Sequence, residues 1–229
     1  MLWNIDSMQE AAVFKGHKFS WCGRVHSITF SRDGKLLASA SRDSTVKLWD
    51  IDTKKEYASL QHQNHVNAVS FNPAGSILTS GYCKGCIEFW DVKSRSRLNI
   101  IPPRKLSSIN SIAFNFDGSR LAVGGEDERK EGNYLQIWNT NKNEVIHFLT
   151  GHNDCVKSVA FSPDGQILAS GSKDGSVKLW DANSGKEIQT LSVENDRDGS
   201  NEITSVAFSL SGQLLASSSK NGIVTIWRS

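Results

Sequence analysis

Residues 151–181, GHNDCVKSVAFSPDGQILASGSKDGSVKLWD, decide the fold. Apolar and polar residues alternate there in three short runs, at 156–161, 167–170 and 177–180. This alternation predicts β-strands, and the intervening Ser162-Pro163-Asp164-Gly165 and Lys173-Asp174-Gly175 are typical of tight turns. The stretch therefore predicts a three-stranded antiparallel meander. Because one meander cannot bury both of its faces, we expect the unit to occur several times.

The pattern recurs along the whole chain. Tryptophan closes an alternating run at spacings close to the roughly 40–45 residues of a four-stranded propeller blade. These tryptophans are Trp3, Trp49, Trp90, Trp138, Trp180 and Trp227. The first strand of the unit recurs at 25–30, 66–71, 109–114, 156–161 and 203–208, each time followed by a turn that ends in glycine. The positions define five meanders, and no stretch has the apolar spacing of a helix.

Composition argues against several classes of protein. The chain has 229 residues, of which 38% are hydrophobic and 22% charged, as in a globular domain. No apolar run approaches the roughly 20 residues of a membrane helix, and the N-terminus lacks the pattern of a signal peptide. The net charge of +2 gives no bulk electrostatic reason to bind nucleic acid or an anionic membrane. The four cysteines, without a secretion signal, predict reduced thiols in a cytoplasmic protein.

These features resemble the WD-repeat (WD40) β-propeller family, and residues 151–181 lie closest to the family pattern. The resemblance implies an all-β fold, a single domain of five four-stranded blades with strands a to d. The repeats are expected at about 16–60, 61–101, 105–149, 151–192 and 199–229, with residues 10–15 as the N-terminal strand that completes the last blade. Such closure removes exposed sheet edges, which invite aggregation.

The family also implies a buried hydrogen-bonded tetrad in each blade, made of His, Ser or Thr, Asp and Trp, which gives the indole and imidazole N–H groups partners. The first and fourth repeats carry full sets, His17, Ser39, Asp43, Trp49 and His152, Ser170, Asp174, Trp180. The others keep His62, Ser80 and Trp90, then Asp127 and Trp138, then Ser217 and Trp227. Lys84, Lys105, Val123 and Asn221 stand at positions where the pattern departs. The tetrad residues have a structural role, so the departures predict less stable blades. We expect the third blade to be the least stable.

The sequence leaves the closure of the repeats open. Leu2-Trp3-Asn4-Ile5 has the pattern of a strand c, although Thr225-Ile226-Trp227 already supplies that strand to the last blade. A closed five-bladed ring leaves residues 1–5 displaced. An open arc corresponds to part of a longer propeller. Assembly of two or more chains through open blade edges buries both ends.

No pattern predicts catalysis, a cofactor or a metal site. His17, His62 and His152 fit the tetrads, and no phosphate-binding glycine loop is present. Cys83-Lys84-Gly85-Cys86 has the spacing of a zinc knuckle, but it offers only two of the four ligands that zinc prefers. The sequence therefore predicts a non-catalytic scaffold for protein–protein interaction.

The resemblance places partner binding on the top face, where the b–c turns and d–a loops open around the central channel. The candidate residues are Trp21, His26, Arg42, Asn67, Glu126, Lys157, Lys173 and Lys220. Most are basic or polar, which suits an acidic or phosphorylated peptide, or simply a solvated rim. Insertions at 19–22 and 128–133 lengthen this face, and 193–202 is an acidic loop. The alternative is a nucleic-acid or phospho-ligand binding module that uses the same basic residues.

Overall fold

The fold consists entirely of strands and turns in the part of the chain that the structure describes. The structure is a computed structural model, and it describes residues 1–18, 23–102, 106–127, 134–192 and 201–228. Within these ranges there is no helix, and hence no helix that could span a membrane. The prediction of an all-β fold built from repeated meanders is confirmed.

Five antiparallel sheets follow one another along the chain. A short hairpin comes first, with β1 (Leu2–Asn4) and β2 (Gln9–Ala12). The first sheet contains β3 (Val25–Phe30), β4 (Leu36–Ser41), β5 (Thr45–Asp50) and β6 (Lys55–Gln61). The second contains β7 (Val66–Phe71), β8 (Ile77–Tyr82), β9 (Ile87–Asp91) and β10 (Ser96–Ile101). The third contains β11 (Leu106–Phe114), β12 (Arg120–Asp127), β13 (Tyr134–Asn139) and β14 (Glu144–Phe148). The fourth contains β15 (Val156–Phe161), β16 (Ile167–Ser172), β17 (Ser176–Asp181) and β18 (Glu187–Ser192), and the fifth β19 (Ile203–Phe208), β20 (Leu214–Ser219) and β21 (Val224–Arg228).

The core lies between consecutive sheets. In the first junction, Val46 and Leu48 of β5 pack with Val66 and Val69 of β7. Equivalent clusters join the second sheet to the third, the third to the fourth and the fourth to the fifth. The first strand of each sheet contacts the first strand of the next, so β3, β7, β11, β15 and β19 lie innermost. The alternation read from the sequence thus buries one face of each meander against its neighbour.

The sheet grouping differs from the prediction at the N-terminus. Residues 10–15 were expected as the fourth strand of the fifth sheet, but Gln9–Ala12 pairs with Leu2–Asn4, and the fifth sheet has three strands in the part of the chain that the structure describes. The hairpin is local, and the Asn4 side-chain carbonyl accepts a hydrogen bond from the Ser7 N–H at 2.8 Å. Closing a short loop costs less chain entropy than pairing across the whole domain, which favours this partner.

The ring is open between the fifth and first sheets in the described residues. The packing that joins consecutive sheets has no counterpart between these two. On β3, Ile28 is 63% exposed and Phe30 49%, and on β21, Val224 and Ile226 are 66% and 64% exposed. The residues equivalent to Ile28 in the other sheets are buried in the junctions, namely Val69, Ile112, Val159 and Val206. Of the three arrangements left open by the sequence, the described residues do not form the closed five-bladed ring, whereas their open edges fit both the open arc and assembly of several chains.

Candidate interaction site

Two complete tetrads fix the top face. In the first sheet the imidazole of His17 lies 2.9 Å from Asp43 Oδ2 and 2.8 Å from Ser39 Oγ, and the Trp49 indole N–H donates to the same hydroxyl at 2.8 Å. In the fourth sheet His152 lies 3.0 Å from Asp174 and 2.7 Å from Ser170, which accepts from the Trp180 indole at 2.8 Å. Each chain of bonds ties a loop to strands b and c, as the resemblance implied.

Both tetrad aspartates are held ionised. Burial alone would raise the pKa of Asp43, but hydrogen bonds from Thr45, from the Lys18 N–H and from His17 outweigh it and lower the pKa to about 2. Burial is likewise outweighed at Asp174, where bonds from His152, Ser176 and the Asn153 N–H lower the pKa well below its usual range. These carboxylates therefore anchor the b–c turns at neutral pH.

The second sheet replaces the aspartate with a buried ionic network. His62 still contacts Ser80 at 2.7 Å, and Glu88, fully buried, lies 3.5 Å from the imidazole. Glu88 accepts hydrogen bonds from the Tyr82 hydroxyl at 3.1 Å and from Arg97 at 3.2 Å. Burial lowers the pKa of His62, although Glu88 opposes this. The sequence did not predict this network, because Glu88 is an ordinary alternating residue until the fold buries it.

The third and fifth sheets keep only fragments of the tetrad. Val123 occupies the serine position of the third sheet, and the buried Trp138 indole nitrogen has no hydrogen-bond partner among the described residues. The side chains of Lys105 and Asp127 lie outside the described residues. In the fifth sheet Ser217 is buried, Trp227 packs against the core, and Asn221 donates to Asn201 at 3.2 Å. The lower stability of the third blade stays a prediction.

A repeated β-bulge builds the centre of the top face. The register of strand a shifts at its second residue in every sheet, between Val25 and Ser27 in the first sheet and at the equivalent positions in the others. A bulge re-aims the extra side chain. The five bulged residues are His26, Asn67, Asn110, Lys157 and Thr204, and with Glu202 they line one open cavity of about 290 Å³. Three predicted site residues, His26, Asn67 and Lys157, are thus brought together.

Most of the cavity wall is polar and held in place. Asn67 donates to the Ile109 carbonyl at 3.1 Å, and Asn110 to the Val156 carbonyl at 3.0 Å, so each amide bridges to the next sheet. Burial would lower the pKa of Lys157, but a hydrogen bond with Cys155 and the charges of Glu126 and Glu202 raise it. Lys157 therefore carries its positive charge into the cavity.

The rim around this cavity is basic over the first and second sheets. Burial first, and then the charges of Arg42, Arg24 and His65, lower the pKa of His26. His65 contacts the Arg42 carbonyl, which fixes the spacing of the cluster. Among the described residues, none of these four has a carboxylate within ion-pair distance. Sequence reasoning named His26 and Arg42 but missed Arg24, His65 and the cavity residue Glu202.

Over the fourth and fifth sheets the predicted lysines are paired with acids. Lys173 lies 3.6 Å from Asp154, and Lys220 lies 3.3 Å from Glu202. Glu126 sits at the end of β12, where Ser108 is its register partner. The charges of Lys173 and Lys220 are therefore each balanced by a neighbouring carboxylate, whereas Arg42 over the first sheet has none within ion-pair distance among the described residues.

Several predicted features fall outside the described residues. Trp21 and the 19–22 insertion lie there, as do 128–133 and most of the 193–202 loop. Cys83 and Cys86 are half-buried free thiols, and Cys155 is buried. Within the described ranges, no group of three or more His, Cys, Asp or Glu side chains is placed to hold a metal ion.

Comparison with known proteins adds sequence relatives. The pattern of the family described as "WD domain, G-beta repeat" matches residues 8–50, 54–91, 102–139, 143–181 and 185–228. The chain is 32% identical over 177 residues to Serine-threonine kinase receptor-associated protein of Gallus gallus, covering 77% of this chain and 47% of that protein. It is 32% identical over 157 residues to Pre-mRNA-processing factor 19 of Oryza sativa subsp. japonica, covering 67% and 29%. It is 28% identical over 183 residues to Apoptotic protease-activating factor 1 of Rattus norvegicus, covering 78% and 14%. The chain thus spans less than half the length of each of these relatives.

Proposed function

Because the chain belongs to the WD40-repeat family, whose members generally act as non-catalytic interaction scaffolds, we propose that it binds a protein or peptide partner on its top face and catalyses no reaction. The relative from Gallus gallus is itself named for its association with a receptor. We further propose that the protein acts in the cytoplasm, which its free thiols suit. Cell fractionation with an antibody against the chain tests this location.

One observation supports the top face above the others. Five residues from five separate repeats, each turned inward by the same bulge, line a single cavity. The adjoining cluster of Arg24, His26, Arg42 and His65 lacks carboxylate partners among the described residues. An acidic segment of a partner would fit both features, because it could place one side chain in the cavity and its carboxylates against the basic cluster.

The experiment is affinity capture with the immobilised full chain, followed by mass spectrometry. We expect Arg42→Glu to remove partners that the unchanged chain retains, because it reverses charge at the unpaired cluster. Lys173→Glu is expected to act more weakly, since Lys173 already faces Asp154 at 3.6 Å. Lys93→Glu, an equal charge reversal in a turn on the opposite face, is the control. An identical set of captured partners with Arg42→Glu would contradict the proposal.

A phospho-ligand module is the second candidate, and the same basic cluster favours it. Two guanidinium groups and two imidazoles suit a phosphate, which accepts several charge-assisted hydrogen bonds. Phosphorylated and unphosphorylated forms of one captured peptide separate the two candidates. Binding that needs the phosphate supports this candidate, whereas equal affinity supports the acidic-peptide scaffold. A duplex DNA or RNA probe tests nucleic acid, for which binding should weaken steeply with salt.

We also propose self-association through the open sheet edges. Among the described residues, strand β21 pairs with β20 on one side only, and the β1–β2 hairpin forms a sheet by itself. Unpaired edges are templates for another chain. Light scattering should show a mass that rises with concentration, and a monomer throughout would rule this out.

A further inference from the structure

The bottom face, where the a–b and c–d turns lie, carries two adjoining cavities, an inner one between the first three sheets and an outer one at the junction of the second and third. The inner cavity has a volume of about 230 Å³ and the outer about 240 Å³. Asn72 and Phe114 line both, so the two form one groove, which we call the bottom groove. Each is smaller than the roughly 300–1,000 Å³ typical of pockets for drug-sized ligands. Their size suits single side chains of an extended peptide.

The inner cavity exposes aromatic surface that the fold does not require. Phe30 and Phe116 are 49% and 60% exposed, and Phe71 forms the buried floor. Phe116 occupies the turn position that Pro73 and Pro163 occupy in the second and fourth repeats. The turn therefore forms with proline at this position, and it does not need the aromatic ring of Phe116. Exposed apolar surface grouped in a concave site marks an interaction surface.

A cation without an acidic partner lies at the same cavity. Arg32 occupies the equivalent turn position of the first repeat, and its guanidinium carbon lies 4.3 Å from the centre of the Phe116 ring. No carboxylate of the described residues lies within ion-pair distance of Arg32. The neighbouring Asp33 carboxylate already accepts hydrogen bonds from the Ser31 hydroxyl and the Lys35 N–H. A guanidinium stacked on a ring keeps its edge N–H groups free for a carboxylate.

The outer cavity supplies a second apolar floor under a polar rim. Ile77, Phe89 and Phe114 form its base, and Leu98 at its side is 55% exposed. Asn99, Asn141 and Asn143 surround the opening and offer amide groups to a peptide backbone. Apolar pockets beneath amide donors and acceptors match the needs of an extended chain.

We propose that the bottom groove is a second binding site, which holds an extended segment of a protein partner with one apolar side chain in each cavity and a carboxylate against Arg32. The charge of Arg32 selects an acidic flank, and the two cavities select apolar residues near it. The site uses none of the top-face residues, so it stands independently of the proposed function.

The test uses the full chain and a phage-displayed library of random heptapeptides. Selected peptides should combine two apolar residues with Asp or Glu, and fluorescence anisotropy then measures their affinity. Arg32→Ala should weaken binding about tenfold, because a charge-assisted contact with the peptide carboxylate is lost. Arg32→Glu should turn the selection toward peptides with a basic flank.

Phe116→Pro tests the aromatic wall with little risk to folding, because Asn72-Pro73 already forms the same turn as Asn115-Phe116. We expect it to abolish measurable binding. Leu210→Pro is the matched control, since Leu210 holds this turn position in the fifth repeat, is 98% exposed and lies outside the groove. Selected peptides without an acidic residue, or equal affinity for Phe116→Pro and the unchanged chain, would overturn the proposal.

Discussion

At the residue scale, the tryptophan near the end of strand c is hydrogen-bonded in some sheets and not in others. Trp180 donates its indole N–H to Ser170 at 2.8 Å, whereas the Trp138 nitrogen is buried with no hydrogen-bond partner in the described ranges. Replacing Trp180 by Phe leaves the buried Ser170 hydroxyl without its indole donor, whereas replacing Trp138 by Phe removes a donor that has no acceptor among the described residues. An unmade buried hydrogen bond costs about 1–3 kcal/mol.

We therefore expect Trp180→Phe to lower the free energy of unfolding by about 1–2 kcal/mol more than Trp138→Phe. Urea unfolding followed by circular dichroism measures the two midpoints. The rings are buried to a similar degree, 1% and 6% exposed, so the loss of packing is matched. Equal costs would mean that the tetrad bonds contribute nothing net.

Asp43 makes the first sheet sensitive to acid. Its pKa falls from 3.8 to about 2 on folding, so its contribution is fully present above pH 4 and is lost as the pH falls through 2. A depressed carboxyl pKa of this size contributes about 2 kcal/mol. Asn, which holds this position as Asn221 in the fifth repeat, has no charge to lose.

We expect Asp43→Asn to be less stable than the unchanged chain at pH 6, with a difference that shrinks between pH 4 and 2. Unfolding midpoints across that range measure it. A difference that stays constant with pH would show that the carboxylate charge is not what the tetrad uses.

Residue identity predicted the two complete tetrads but neither the electrostatics around them nor the second sheet, where the buried Trp90 indole nitrogen has no hydrogen-bond partner among the described residues. His17, Ser39 and Trp49 lie where their spacing predicts, because their bonds connect positions in fixed register. By contrast, Lys173 and Lys220 were predicted as free basic residues. The structure shows that they pair with Asp154 and Glu202, which the sequence pattern does not indicate. Charge pairing across a fold depends on distances that spacing along the chain does not contain.

At the element scale, the c–d strand pairs carry a charge pair whose polarity is reversed in one sheet. Lys47 pairs with Glu56 at 2.7 Å and Lys178 with Glu187 at 3.0 Å. In the second sheet Glu88 takes the lysine position and Arg97 the glutamate position, 3.2 Å apart. The strand geometry therefore accepts either sign, provided that the two charges are opposite.

Glu88→Lys alone should destabilise the protein by about 3 kcal/mol or more, since it buries a cation beside Arg97. Adding Arg97→Glu should recover at least half of this loss by recreating the arrangement of the first and fourth sheets. Thermal unfolding of the single and double variants measures the coupling. Lys142→Glu, at the exposed Lys142–Glu144 pair, is the control and should change stability by less than about 0.5 kcal/mol. A double variant no more stable than the single one would contradict the interpretation.

Strand positions were predictable because alternation and turn residues agree in every repeat. The first strands at 25–30, 66–71, 156–161 and 203–208 coincide with the predicted runs. The N-terminal strand was assigned to the wrong partner, because Gln9–Ala12 has a pattern that suits either pairing. The bulge at the second residue of strand a also has no sequence signal, although it aims the cavity residues inward.

At the scale of the whole molecule, the sequence predicts the number of sheets but not the angle between neighbouring sheets. Five repeats are compatible with a ring or an arc, since each junction uses the same apolar positions. The structure distinguishes them through exposure at the ends. Ile28 of β3 is 63% exposed, whereas Ile112 at the same position of β11 is 7% exposed in a junction. The difference arises because no sheet among the described residues covers the face of the first sheet that carries Ile28.

This pair gives a direct test of the open ring in solution. Ile112→Glu buries an unpaired carboxylate and should cost more than about 4 kcal/mol, enough to unfold much of the protein. Ile28→Glu places the same charge in water and should cost less than about 1 kcal/mol. Urea midpoints and far-ultraviolet circular dichroism of both variants measure this. If the first and fifth sheets closed on each other, Ile28 would lie in a fifth junction like Ile112, and the two substitutions would be equally damaging. A large cost at Ile28 would therefore overturn the open arrangement, whereas a small one leaves the exposed face available to a partner.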